Sequence, residues 1–302
     1  MSRDLFSRYI WIVDTLRRHR RLTRQQLDEL WRRSPYGNGE GMPRRTFYNY
    51  RGAIEELFGL TIECDPSTYE YSINDGESAS DRSVTTMMLS SAAVSNALTD
   101  ARSIADRIFL EEVPSAHEHL NSVIVAMKEM HVLNFTYAPF QRTRPTRGVM
   151  LEPYFLKIFR QRWYVTGRVV TDRLIKTYAL DRMSDVEVGT TSFIIPPEFD
   201  ARSYVNDSFG IVFSQGDVRE VVIRAESRQA KYLRALPLHH SQTEEIGDGF
   251  SLFRYRLRLT PDLVEEIMRM GASVTVEEPR ELRLMLVDRL RTTLANYDQN
   301  VS

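Results

Sequence analysis

The chain has 302 residues, enough for two or three compact cores rather than one. Its 42% hydrophobic and 27% charged content exclude a disordered or fibrous chain, and a net charge of −1 by itself argues for no partner. The one cysteine, Cys64, excludes an intramolecular disulfide, and no run reaches the ~18 apolar residues of a membrane span, so a soluble, cytoplasmic protein is expected.

In chain order, Leu5, Tyr9, Ile12, Val13 and Leu16 recur at helical spacing through residues 4–19. Thr23 with Gln26 predicts a capping-box start for a second helix, with Leu27, Leu30 and Trp31 inward. After the glycine-rich segment 34–42, Pro43 opens a third helix whose inner face is Phe47, Tyr50, Ile54, Leu57 and Phe58. LTIEC and TYEYSI around DPS then predict a β-hairpin. Three short helices followed by a hairpin is the order of a winged helix-turn-helix, assigned to residues 1–75. Residues 76–130 read as a polar linker leading into Ala- and Met-rich helices. From 131 to 192 short β-rich runs with tight connections have the pattern of a small barrel. Residues 193–216 read as an extended connector. Residues 217–302 read β-α-β-β-α-β plus a final helix, a ferredoxin-like order. The expected fold class is therefore α+β.

Charge separates these segments. Residues 131–185 hold ten basic and four acidic residues, net +6, between acidic flanks of net −5 (74–130) and −3 (186–216). Such an island predicts an anion-attracting surface. In the third helix, Arg44, Arg45, Thr46, Tyr48, Asn49 and Arg51 gather opposite the apolar face. Arginine pairs bidentately with guanine and asparagine with adenine, and the other donors suit phosphates. A solvated helix face would look similar. The helices before it and the hairpin after it turn the reading toward duplex DNA.

In the central segment, Arg162-Trp163-Tyr164-Val165 predicts a strand with Arg162 and Tyr164 on one face and Trp163 and Val165 on the other. A cation beside a ring suits a phosphate and a base. Around it stand Pro153-Tyr154, Leu156-Lys157 and Leu180-Asp181-Arg182, and later Ser208-Phe209-Gly210-Ile211. With these residues the chain resembles the WYL-domain family of transcriptional regulators, Val165 standing in the leucine place of the name-giving tripeptide. The resemblance spans winged helix, linker, WYL domain and C-terminal extension. It implies an Sm-like, SH3-type β-barrel that senses a nucleotide or nucleic-acid fragment, in regulators of phage-defence or DNA-damage genes. Arg162, Tyr164, Arg182 and Trp163 fall on the family's pocket motif, and Lys157, Tyr178 and Asp181 match it, with Asp181 read as a partner that orients Arg182. Arg142, Arg144 and Arg147 join by charge and proximity.

Enzyme signatures are missing from the sequence: it has no GxxxxGK[ST], GxSxG or HExxH, and its six histidines have no metal-site spacing. No catalytic residue, metal or cofactor is expected. The reading is a homodimeric regulator, a repressor in preference, that binds a double-stranded operator and answers to a nucleotide or oligonucleotide effector. An RNA- or single-strand-binding accessory protein, or a nuclease, stands as the alternative.

Overall fold

The structure is a computed structural model that describes residues 3–74, 107, 117–140, 142–213 and 216–298. It divides into two compact units, Met1–Glu111 and Glu112–Ser302. It is a mixed α/β protein with several antiparallel sheets. Most of the stretch read as a helical linker lies outside the described residues.

The first unit runs α1 (Arg3–His19), β1 (Leu22–Thr23), α2 (Arg24–Arg33), α3 (Arg44–Phe58), β2 (Thr61–Cys64) and β3 (Glu70–Asn74). Thr23 caps α2 by accepting from the Gln26 amide, and Gln26 reaches back to the Thr23 amide, so two otherwise orphaned donors are satisfied. Phe47, Tyr50, Ile54 and Phe58 follow one another at steps of three and four on α3, and all are buried against Tyr9, Ile12, Val13 and Leu16 of α1. Leu57, expected inside, is exposed, because it sits at the edge of that stripe where the helix ends. Pro43 precedes the first helical turn rather than standing in it. Asp28 gathers the segment before α3. It accepts from the Met42 amide at 2.6 Å and from Arg32 at 3.2 Å. Burial pushes its carboxyl up, but these donors and Arg24 outweigh burial and hold it below the usual range. The strand order is β1-β3-β2. No local pattern signals β1, whose two residues are too few for any alternation.

In the second unit, α4 (His117–Glu129) leads into β4 (His131–Tyr137), β5 (Thr146–Phe159), β6 (Arg162–Val169), β7 (Ile175–Ala179) and β8 (Met183–Ser192), in the order β7-β6-β5-β4-β8. All neighbours are antiparallel. Bulges interrupt β5 between Pro153 and Phe155 and β4 between Asn134 and Thr136, devices that bend a sheet. Val123 and Ala126 of α4 are buried with Leu133, Leu151, Val165 and Leu180, so this last part of the expected linker shares the sheet's core.

The segment expected to be an extended connector is more ordered than that. It contains α5 (Ala201–Asn206), and its Phe193, Phe199, Tyr204 and Phe213 pack on Tyr154 and Phe155 of β5. These six aromatic rings supply a core that periodicity does not reveal. Beyond it come β9 (Arg219–Glu226), α6 (Ser227–Ala235), β10 (Thr243–Ile246), β11 (Phe250–Leu257), α7 (Pro261–Arg269), β12 (Val274–Glu278) and α8 (Arg280–Asp298). The sheet order is β10-β11-β9-β12. Val221, Ile223, Phe253 and Tyr255 are buried together with Leu233, Leu263 and Ile267 of the helices. His239 and His240 lie in the turn before β10, where the His239 ring bonds Ser241 Oγ at 2.8 Å.

One backbone position joins the connector to this last sheet. Asp262 at the start of α7 accepts from the amides of Ile211 (2.6 Å) and Val212 (2.9 Å). Gly210 beside them has φ +82°, and a Cβ there would stand 2.1 Å from Asp262 Oδ2. Gly210→Ala is expected to cost about 2–4 kcal/mol, from the left-handed backbone and the collision together. Gly249→Ala, at φ +78° with open space around it, should cost only ~1–2 kcal/mol. Chemical denaturation of both variants checks this, and equal losses would show that the collision is absorbed.

Candidate nucleic-acid and anion sites

The face of α3 opposite the buried stripe carries Arg44, Arg45, Tyr48 and Asn49, all exposed. Tyr48 is tied to β3 of the hairpin through its hydroxyl, 3.3 Å from that of Tyr71, and the Arg44 guanidinium lies 5.7 Å from the Tyr48 ring. The hydrogen bond to Tyr71 and the neighbouring Arg44 push the Tyr48 phenol down, while burial pushes Tyr71 up. The helix and the hairpin are thus joined through polar groups at the exposed face. Thr46 is half-buried, and Arg51 is turned to Glu55 at 3.5 Å. Of the six residues singled out in the sequence, Arg44, Arg45, Tyr48 and Asn49 form one exposed face, and the other two are partly engaged within the helix.

The second site is built on β6 and the turn that enters β8. Val165 is buried in the sheet's core and Trp163 packs against that core, as alternation requires. Arg162 and Tyr164 take the other face. The Arg162 side chain keeps 30% of its exposure and pairs with Asp181 at 3.4 Å. Tyr164 is only 7% exposed, and burial raises its phenol while Arg162 and Arg182 oppose the rise. Asp181 is read in the sequence as the partner of Arg182. The structure corrects this: its nearest cation is Arg162, and its second oxygen, Oδ1, is buried without a hydrogen bond among the described residues.

Arg182 instead lies over Phe140, its guanidinium carbon 3.7 Å from the ring centroid. Its Nε is buried and unpaired among the described residues. Phe140 sits in the loop between β4 and β5, which is anchored by the Ala138 amide donating to the Arg182 carbonyl at 3.0 Å. The ring is 74% exposed. The same loop carries Arg142 and Arg144, and Arg147 stands at the start of β5. All three are exposed and none is ion-paired among the described residues. Phe140 escaped the reading of the sequence. The available signal was an aromatic inside an arginine-rich loop, FQRTRPTR.

Two matched residues leave this site. Tyr178 is a core residue, edge-on to Phe135 (5.1 Å) and Tyr137 (4.8 Å), on the same face as its register partner Val165. Lys157 shares a face with Tyr164, but its ammonium donates to the Gly210 carbonyl and lies 5.3 Å from the Phe213 ring. A connector covering that end of the sheet could not be foreseen from a segment read as extended. Arg162, Arg182, Phe140 and the loop arginines remain as an open cationic surface with one exposed ring, suited to a phosphate and a stacked base. No group of three or more His, Cys, Asp or Glu able to hold a metal occurs among the described residues, and no described helix is long and apolar enough to cross a membrane.

The Arg-Trp-Tyr strand, its core-facing partners and the Leu-Asp-Arg turn define a WYL-type domain followed by a second, C-terminal sheet domain. The WYL domain model matches residues 118–188 and the WCX domain model residues 217–294, so the chain carries a WYL domain followed by a WCX domain. Among solved structures, proteasome accessory factor B/C (PafBC) of Arthrobacter aurescens is similar at 22% identity over 95% of this chain and 46% of that one, with a TM-score of 0.36. This chain therefore spans about half the length of that relative. A crystal structure of a CRISPR Cas-related protein is similar at 10% identity over 61% of this chain and 52% of that one, TM-score 0.24. No curated protein matches the chain.

Burial pushes the Lys157 ammonium down to about 8 from an ordinary 10.5, Asp262 opposing the shift. The folded chain therefore releases this proton before the unfolded chain does. The cost of burying the cation is fully present below pH ~8 and is relieved as pH rises toward ~10. The stability of the wild type relative to Lys157→Met should rise on the order of 1 kcal/mol across that interval. Paired urea titrations at the two ends measure it, and a difference that does not change with pH contradicts the buried-cation assignment.

Proposed function

We propose that the chain is a DNA-binding transcription regulator whose operator affinity answers to an anionic nucleotide or nucleic-acid ligand. In this reading residues 1–75 form a winged helix-turn-helix that lays α3 in the major groove. The five-stranded sheet is a small Sm/SH3-like barrel that holds the ligand, and the C-terminal sheet is a ferredoxin-like extension. The observation that carries the reading is the division of α3 into a buried apolar stripe and an exposed Arg44, Arg45, Tyr48, Asn49 face, followed by a hairpin bonded to that face through Tyr71. The open cationic surface around Arg182 and Phe140 supports a ligand smaller than a duplex.

The partners in this reading are a duplex operator of paired half-sites, a second copy of the chain and the effector. Repression is preferred over activation. The effector can move operator affinity only by its differential affinity for the operator-competent and operator-incompetent states.

The test is selection of bound duplexes from a random pool, followed by titration of the selected operator with single alanine variants. Arg44→Ala, Arg45→Ala or Asn49→Ala should each cost ~1–3 kcal/mol where the side chain reads a base edge, with relaxed specificity at one position. Where it meets only phosphate, affinity should fall evenly across sequences and the salt slope should drop by about one. Unchanged duplex affinity in all three variants, with oligonucleotide binding lost through Arg182→Ala, would favour the single-strand-binding accessory protein instead.

A further inference from the structure

Asp181 stands out in the cationic site because it is an anion placed where an anionic ligand is expected. Its side chain is 9% exposed, one oxygen is 3.4 Å from Arg162, and the other is buried without a hydrogen bond among the described residues. A carboxylate installed for structural support is normally held by hydrogen bonds, as Glu152 of β5 is. Glu152 accepts from Arg168 Nε at 2.6 Å and from the Tyr154 hydroxyl at 3.1 Å, and Arg173 approaches its other oxygen at 3.9 Å. Asp181 has one long contact. Beside it, Arg182 keeps a buried Nε with no acceptor among the described residues. The site holds an underused acceptor and an underused donor on adjacent residues, with a second guanidinium within reach of the acceptor.

We infer that Asp181 is an internal counter-anion that occupies Arg162 in the empty site and competes with the phosphate of the ligand for it. A phosphate oxygen makes shorter charge-assisted bonds than the 3.4 Å carboxylate contact, so an arriving phosphate takes Arg162 over. The carboxylate is then displaced toward the free Nε of Arg182, whose planar group stays on the Phe140 ring. Asp181 thereby sets a threshold. An anion with a single weak charge does not dislodge it, and a ligand with a phosphate and a stacked base does. This inference rests on the ligand reading proposed above and adds the residue that tunes its affinity.

The experiment is calorimetric titration of the full chain with 5′-phosphorylated tetrathymidylate, comparing wild type, Asp181→Asn, Arg162→Ala, Arg182→Ala and the Arg162→Ala/Asp181→Asn double variant. Asp181→Asn is expected to bind roughly 3- to 10-fold more tightly, the size of one partly screened charge pair. In the Arg162→Ala background the same change should have no effect, since the competition has been removed. Weaker binding by Asp181→Asn, similar to the loss in Arg162→Ala, would overturn the inference by making Asp181 a positioning residue, and the ligand reading would stand. Equal binding by wild type, Arg162→Ala and Arg182→Ala, or binding by none of the five proteins, would overturn the ligand reading and this inference with it. Thermal melts check the fold of each protein, and Asp181→Ser takes the place of Asp181→Asn if the amide disturbs the turn.

Discussion

The period-two alternation of one strand constrains everything around the cationic site. Once Val165 is fully buried and Trp163 packs beside it, Arg162 and Tyr164 have no choice of face. The core side of β6 is filled by its neighbours: Ile158 is opposite Trp163 and Tyr178 is opposite Val165. The other side receives whatever the chain lays across it. At the Lys157 end that is the aromatic connector, which closes the sheet over Lys157 with Gly210 and Phe213. At the Arg162 end the sheet stays open toward the Leu180–Arg182 turn and the β4–β5 loop. A slip of one residue in β6 would bring Arg162 into the core and expose Trp163.

The covered end has its own logic. β5 offers Lys157 to the Gly210 carbonyl, and the next two amides of the connector are taken by Asp262 at the head of α7. Arg160, just beyond β5, pairs with the buried Glu266 of the same helix at 2.6 Å, and Arg269 shares that carboxylate. Within the second unit, the strand next to the candidate ligand surface is therefore linked by charge-assisted bonds to the C-terminal sheet domain. Glu266 is buried while both arginines stay more than half exposed, so removing the guanidiniums would leave a buried carboxylate uncompensated, which favours one fixed geometry at the junction.

Much of this architecture was legible in the sequence because its signals are local. The capping box at Thr23 and Gln26, the apolar stripe of α3 and the faces of β6 each follow from a few neighbouring residues. What escaped depends on distant chain. Tyr178 and Lys157 match a family motif, and nothing near them in sequence says that one is enclosed by Phe135 and Tyr137 and the other by a connector some fifty residues on. Tyr164 lies on the expected face and is still buried, and the exposed ring near it is Phe140, a loop residue with no periodicity to betray it. Asp181 was assigned to its sequence neighbour, Arg182. The 3₁₀ turn of residues 180–182 instead directs its carboxylate across to Arg162 on β6.

Phe140 allows the ligand reading to be tested at the level of one side chain. Photo-crosslinking of a 5-bromouracil oligonucleotide to the full chain, with the adduct mapped by mass spectrometry, reports which ring meets the base. The account predicts an adduct on Phe140 that disappears in Arg162→Ala, because the guanidinium that takes the phosphate would be gone. An adduct confined to Tyr48 of α3, or one that persists unchanged in Arg162→Ala, would contradict it.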